Sequence, residues 1–250
     1  MGSLVQFNAV ALGYRKTKIL NEVFCSIDRG DSVGIVGPNG SGKTTFLRGV
    51  LGLLKPLAGT IHLDPFQRFA YVPQIEELNF FLPLTVQEAV LLSPRSERIL
   101  GRITREEKQT AQLCLEKVGL SAAADSLLRE CSGGQRQRAI LAQALSLKPN
   151  ILLLDEPTKG LDVVAERDFL ALIEKLRVEE KLTILFVTHT LQIPLNFMNK
   201  ILLFNKGSVI QTTPAELVET KKLEEIYETP FLHHEFHGFR WVLPLPQRAR

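Results

Sequence analysis

The chain has 250 residues, 45% apolar, 23% charged and 7% aromatic, a composition that supports a large buried core and excludes disorder, collagen and coiled coil. Thirty Lys and Arg against 27 Asp and Glu leave a net charge of +3, too balanced for bulk electrostatics to point to nucleic acid or an acidic membrane. No run approaches the roughly 18 apolar residues that span a bilayer, and the start of the chain lacks a basic segment followed by an apolar stretch and cleavage site, so a cytosolic location is expected. Met1-Gly2-Ser3 opens like a myristoylation site, but Gln6 stands where that motif takes Ser or Thr. Cys25, Cys114 and Cys131 are odd in number, widely spaced and without a C-x-x-C pair, which suits reduced thiols.

Short β-rich runs alternate with helical patterns, the signature of an α/β fold with a three-layer core. Residues 32–36 read as a buried strand running into a glycine-rich loop, and 43–54 as a helix stopped by Pro56. Strands follow over 60–63 and 69–72. Between 85 and 147 the texture turns helical, with helices over 85–92, 105–118 and 134–147 and no strand, so this stretch reads as a helical subdomain. Strands return over 151–154, 183–187 and 201–204. The continuous apolar character of these strands predicts burial on both faces. No repeat of fixed period is visible, and 240–250, with two prolines and three arginines, reads as a loosely held tail.

Gly37-Pro38-Asn39-Gly40-Ser41-Gly42-Lys43-Thr44 fits G-x-x-x-x-G-K-[ST] and lies between a strand and a helix, the context that motif requires. Its glycines let backbone N–H groups turn inward around a phosphate, and the helix start presents a positive dipole end. Lys43 is placed to reach the terminal phosphates and Thr44 to offer a hydroxyl to Mg²⁺. Further on, the apolar run Ile151-Leu152-Leu153-Leu154 ends in Asp155-Glu156. A buried strand that delivers a carboxylate at its carboxyl end puts it where open α/β sheets bind ligands. Asp155 is the expected Mg²⁺ ligand, and Glu156 the residue that orients or deprotonates the attacking water.

Cys131-Ser132-Gly133-Gly134-Gln135-Arg136-Gln137-Arg138 opens the helix over 134–147 and forms a second glycine-rich anion site. Two phosphate cradles in one domain exceed what one nucleotide needs. The resolution is a head-to-tail pair of copies with ATP at their interface.

With these motifs in their order, the chain resembles the ATP-binding cassette ATPases, the motor subunits of ABC transporters, over about residues 4–220. The resemblance implies a P-loop NTPase fold with a RecA-like core, an antiparallel β subdomain and a helical subdomain. It places a single ATPase domain over 1–230, with core and β subdomain about 1–84 and 148–220, the helical subdomain about 85–147, and a C-terminal extension over 221–250. It implies that Gly37 to Thr44, with Thr45, bind ATP as the Walker A loop, that Asp155 ends the Walker B strand, and that Glu156 is the catalytic glutamate. Ser132, Gly133, Gly134 and Gln135 match the signature loop, and Asp162 the loop communicating between the two sites. Gln74 matches the glutamine that touches Mg²⁺, His189 the switch histidine at the γ-phosphate, and Tyr14 the aromatic that stacks on adenine. Cys131 replaces the usual Leu of the signature, and Thr190 the Asp that often follows the switch histidine.

The implied partners are a second copy of the ATPase, a separate transmembrane permease that holds the chain on the inner face of the cell membrane, and a substrate-binding protein if the system imports. Residues 80–90 look like the corresponding part of ATPases from zinc, manganese and iron-chelate importers, and the substrate expected is a metal ion or chelate. Export of a lipid or drug, a soluble repair or translation ATPase, and a regulatory module without turnover are the alternatives. Retention of Glu156 and His189 argues against the last, and the lack of a second cassette or long coiled-coil insertion against the soluble one. No nucleic-acid partner is expected. His233 and His237, at i and i+4 with His234 between, could bind Zn²⁺, but a solvated patch is favoured because nothing completes four ligands.

Overall fold

The computed structural model describes residues 3–75, 82–92, 103–219 and 221–245, and the chain divides into two units, Met1–Phe66 with Thr183–Arg250, and Gln67–Leu182. The first unit opens with β1 (Ser3–Tyr14) and β2 (Thr17–Asp28), an antiparallel hairpin that the apolar pattern does not announce. Register shifts between Phe7 and Val10 and again before Leu12 explain the silence. Each bulge breaks the period-two alternation by which a strand is read.

The next elements, β3 (Ser32–Val36), α1 (Lys43–Val50) and β4 (Ala58–Leu63), follow the expected order. Two details differ. α1 stops at Val50, well before Pro56: Gly52 adopts φ +70°, and the Leu53 and Leu54 amides both return to the Arg48 carbonyl, at 2.8 and 3.1 Å. β4, expected to be buried on both faces, is exposed or half-buried throughout. It is the edge of an antiparallel sheet ordered β2-β1-β4, so only one side meets the interior.

The second unit pairs β5 (Phe69–Val72) with β6 (Ile151–Asp155) in parallel register, Val72 opposite Leu154. β6 is buried along its length, whereas β5 is an edge strand and leaves Tyr71 41% exposed, against the expectation of burial. Between them run α2 (Val86–Leu91), α3 (Arg105–Lys117) and α4 (Gly133–Ser146), and after β6 comes α5 (Val163–Glu179). The first three start at capping boxes, Thr85 with Glu88, Thr104 with Glu107, and Ser132 with Gln135. Each satisfies two backbone N–H groups reciprocally and fixes where the helix begins.

The chain then returns to the first unit as β7 (Thr183–Val187), α6 (Gln192–Phe197), β8 (Lys200–Asn205) and β9 (Ser208–Thr212). It continues through α7 (Pro214–Glu219), α8 (Lys222–Tyr227) and a hairpin of β10 (Phe231–Phe236) and β11 (Phe239–Pro244). β7 and β8 flank β3 in parallel, which buries all five β3 residues, and β9 closes the edge antiparallel to β8. Phe46 of α1 stacks on Phe7 at 4.8 Å and meets Phe204 edge-on at 5.4 Å, pinning the helix to β1 and β8.

A second cluster joins Val36, Leu191, Leu203, Leu217, Leu223, Phe231 and Val242. The expected loose tail over 240–250 is therefore corrected in its first half: residues 240–244 lie in β11, and Val242 is 1% exposed, while 246–250 lie outside the described residues. Among the described residues, no helix is long and apolar enough to cross a membrane.

Candidate active site

β3 ends where the phosphate loop begins. Gly37, at φ +155°, passes so close to β8 that an added Cβ would lie 2.4 Å from the Phe204 carbonyl oxygen, so only glycine lets the loop turn here. Gly42, at φ +104°, is the N-cap of α1 and has no side chain to cap it, which leaves the helix's first N–H groups for an anion. Lys43 lies back along the loop, and its Nζ donates to the carbonyl oxygens of Gly37 at 2.8 Å and Pro38 at 3.0 Å. Ser41 Oγ is buried and has no hydrogen-bond partner among the described residues, a polar atom that a phosphate oxygen would satisfy. Pro38, Asn39, Gly40 and Thr44 are exposed, whereas Thr45 is buried in the helix.

His189 is exposed two residues beyond β7, the strand paired with β3. The Thr188 amide donates to the Ile35 carbonyl at 3.2 Å, so His189 emerges at the same strand ends as the phosphate loop. Tyr14 ends β1 at 39% exposure and accepts a hydrogen bond from Arg48 Nη1 at 2.9 Å, with the guanidinium carbon 5.7 Å from the ring centre. Arg48 thereby ties the aromatic to the helix that begins at Lys43, a contact with no sequence signal beyond an exposed basic residue on α1.

In the second unit, Asp155 closes β6 at 9% exposure, with Oδ2 accepting from the Tyr71 hydroxyl at 3.0 Å. It terminates the strand and caps no helix. Glu156 follows with φ +45°, a left-handed conformation uncommon for a side chain of its size. Such strain concentrates at working sites. Gln74 is half-buried two residues past β5, at the same end of the β5–β6 pair as Asp155.

Ser132 is the N-cap of α4: its Oγ accepts from the Gln135 amide at 3.2 Å while Gln135 Oε1 accepts from the Ser132 amide at 2.9 Å. Accepting leaves the hydroxyl proton available to a ligand. An added Cβ on Gly133 would meet only Leu161 at 3.8 Å and on Gly134 only Ala165 at 3.5 Å, both ordinary contacts. The fold itself does not require glycine at either place. Asp162 caps α5 through Oδ1, which accepts from the Ala165 amide at 2.8 Å. Ser132, Gly134, Gln135 and Asp162 line one cavity of about 350 Å³, joined by Arg138 from the same string and by Asp168, which the sequence pattern did not single out.

Cys131, in the place usually held by Leu, is buried. Of the importer-like stretch, Phe80 and Phe81 lie outside the described residues; Leu82 is exposed and Thr85 caps α2. His233, His234 and His237 lie in the hairpin of β10 and β11. His233 stands opposite Val242, His234 opposite Trp241, and His237 sits in the turn at φ +49°. No group of three His, Cys, Asp or Glu suited to a metal occurs among the described residues.

Residues 20–159, more than half of the chain, match the ABC transporter family. The zinc import ATP-binding protein ZnuC of Pseudomonas syringae pv. syringae (strain B728a) is 32% identical over 239 residues, covering 94% of this chain and 87% of that protein. A structure described as an inward-facing metal-chelate type ABC transporter superposes with a TM-score of 0.88 over 98% of this chain and 99% of that one, at 24% identity, a likeness of fold. A dimeric ATP-binding cassette in a post-hydrolysis state, bound to ADP and Pi, matches with a TM-score of 0.69 and 29% identity over 84% and 98% of the two chains.

Proposed function

The chain belongs to the ABC transporter ATPase family, and from that premise we propose that it binds MgATP between two copies of itself and hydrolyses it to drive metal import through a separate permease. The observation that carries the reading is the pair Gly133 and Gly134 at the start of α4, beside a capped Ser132 that keeps its proton. Glycines that the fold does not require mark where something from outside comes close. The anion held there is the γ-phosphate of a nucleotide seated on the partner's loop.

In the first unit, the loop amides and Lys43 hold the β- and γ-phosphates, and Tyr14 stacks on adenine while Arg48 fixes its ring. His189 contacts the γ-phosphate. In the second, Glu156 holds the attacking water and takes its proton. The Thr44 hydroxyl, the Gln74 amide oxygen and the Asp155 carboxylate are hard oxygen donors suited to Mg²⁺. The ion, when bound, neutralises charge building on the phosphates.

Closure of two copies spreads binding energy over both faces, so ATP binding moves the permease and hydrolysis resets it. Asp162, placed beside Ser132, carries the state of one site to the other. The permease keeps the chain at the inner face of the membrane, and a substrate-binding protein delivers the metal. The zinc-import relative supports the choice of metal.

The test is the Glu156→Gln variant with MgATP, examined by sedimentation. A stable ATP-loaded dimer with no turnover is expected, and a monomer at saturating nucleotide overturns the pairing. Metal uptake in cells co-expressing the neighbouring permease, present with wild type and absent with the variant, checks the cargo.

A further inference from the structure

We infer that the outer face of the C-terminal hairpin is a second contact surface between two copies of this chain, closing only when nucleotide has already clamped them. The inference rests on the proposed ATP-dependent pairing and adds a surface to it. Strand alternation sends Phe231 and Val242 into the core, 8% and 1% exposed. The other rows face solvent as cross-strand pairs: Leu232 with Leu243, His234 with Trp241, Phe236 with Phe239. The five apolar members are 50% to 61% exposed. An antiparallel sheet's solvent face normally reads polar, and a contiguous apolar patch marks an interaction site.

Charge and area identify the occupant. The face carries no Lys, Arg, Asp or Glu, so it meets its own copy without repulsion, and an anionic lipid surface finds no cation to hold. Two strands of six residues make a face about 20 Å by 10 Å, which with side chains covers on the order of 400 Å². A stable interface buries about 800 Å² per partner. The hairpin therefore cannot hold a dimer alone and adds to a contact made elsewhere.

The fold supplies the link to that contact. Asn196 of α6 exchanges two hydrogen bonds with Arg240, Nδ2 to the carbonyl at 2.9 Å and amide to Oδ1 at 2.8 Å, and Gln192 Nε2 donates to the Val242 carbonyl at 2.9 Å. These bonds make β11 and α6 one body, and α6 begins three residues after His189. A shift of the segment at the γ-phosphate thus carries the hairpin with it.

The experiment adds Leu232→Lys and Trp241→Lys to the full-length Glu156→Gln chain and measures dimerisation with MgATP by sedimentation. The expected result is a dimer dissociation constant raised at least tenfold, with an unchanged thermal midpoint and unchanged affinity for a fluorescent ATP analogue. An unchanged constant overturns the inference and leaves ATP-driven pairing standing; failure of the Glu156→Gln parent to pair overturns both. Loss of permease co-purification or vesicle binding with pairing intact assigns the face to that partner instead and also overturns it. A second arm is independent of the lysine variants. Phe239→Cys, treated with a short bis-maleimide, should cross-link two copies with MgATP and not without it, since the native thiols are buried; no cross-link with MgATP overturns the inference.

Discussion

The Tyr71 hydroxyl donates to Asp155 Oδ2 at 3.0 Å from the neighbouring parallel strand. A donor on one carboxylate oxygen fixes how the group is turned, as outer-shell partners do for a metal-ligating carboxylate. Tyr71→Phe keeps the ring and removes only that donor. The Mg²⁺ concentration giving half-maximal ATPase should rise by roughly tenfold, in line with lost outer-shell contacts elsewhere. An unchanged Mg²⁺ titration would count against Asp155 as the ligand.

The cap that Ser132 supplies to α4 can be separated from its proposed contact with phosphate. Ser132→Ala removes the cap of α4 and should cost about 1 kcal/mol of stability, seen by denaturant unfolding. Ser132→Asp caps as well as serine, so stability should hold. Its carboxylate would face the γ-phosphate, so ATP-driven pairing and ATPase should be lost in both variants. Activity in the aspartate variant would show that the hydroxyl meets no phosphate.

Two glycines of the phosphate loop differ in why they are there. At Gly40 an added Cβ meets nothing within 4 Å, but φ is +78°, so Gly40→Ala should cost about 1–2 kcal/mol from backbone strain alone. At Gly37 the Cβ would strike the Phe204 carbonyl, and Gly37→Ala should destabilise by more and weaken ATP binding. Thermal melts with and without MgATP separate the two; equal losses would contradict the close approach of β8.

Burial pushes the Cys25 thiol from 9.0 up to about 12, against the lowering pull of the nearby Lys200 charge. The folded chain therefore holds this proton after the unfolded chain has released it. The stability involved is fully present below pH 9.0 and is lost as pH rises towards 12, by at most about 1.4 kcal/mol per pH unit. Cys25→Ala should melt lower than wild type at pH 8 and lose less between pH 9 and 11. Parallel curves would mean that Cys25 ionises while folded.

Most of the architecture could be read from the sequence because it rests on local signals. The runs 151–154 and 183–187 are apolar enough to be strands anywhere, and three capping boxes mark the helices to within a residue. β1 and β2 were hidden by bulges, and the exposure of β4 by its edge position, which no local pattern records. The hairpin was hidden because aromatic residues and histidine alternate on a face that meets water, so its period looked like disorder. In the candidate site, motifs named the phosphate loop, Asp155 and Ser132 directly, and the family and ATP hydrolysis followed from them. Tyr71 and Arg48 escaped because the partner of each, Asp155 and Tyr14, lies far away in sequence.

The Lys43 ammonium already rests on two backbone carbonyls. On the proposed reading a triphosphate arriving at the loop would displace those acceptors, so calorimetry on the wild-type chain should record an exchange of partners, with a heat smaller than the strength of the final contact. The cation that braces the curl of the loop would thus be the one the nucleotide draws away, and the same two carbonyls would take it back when product leaves.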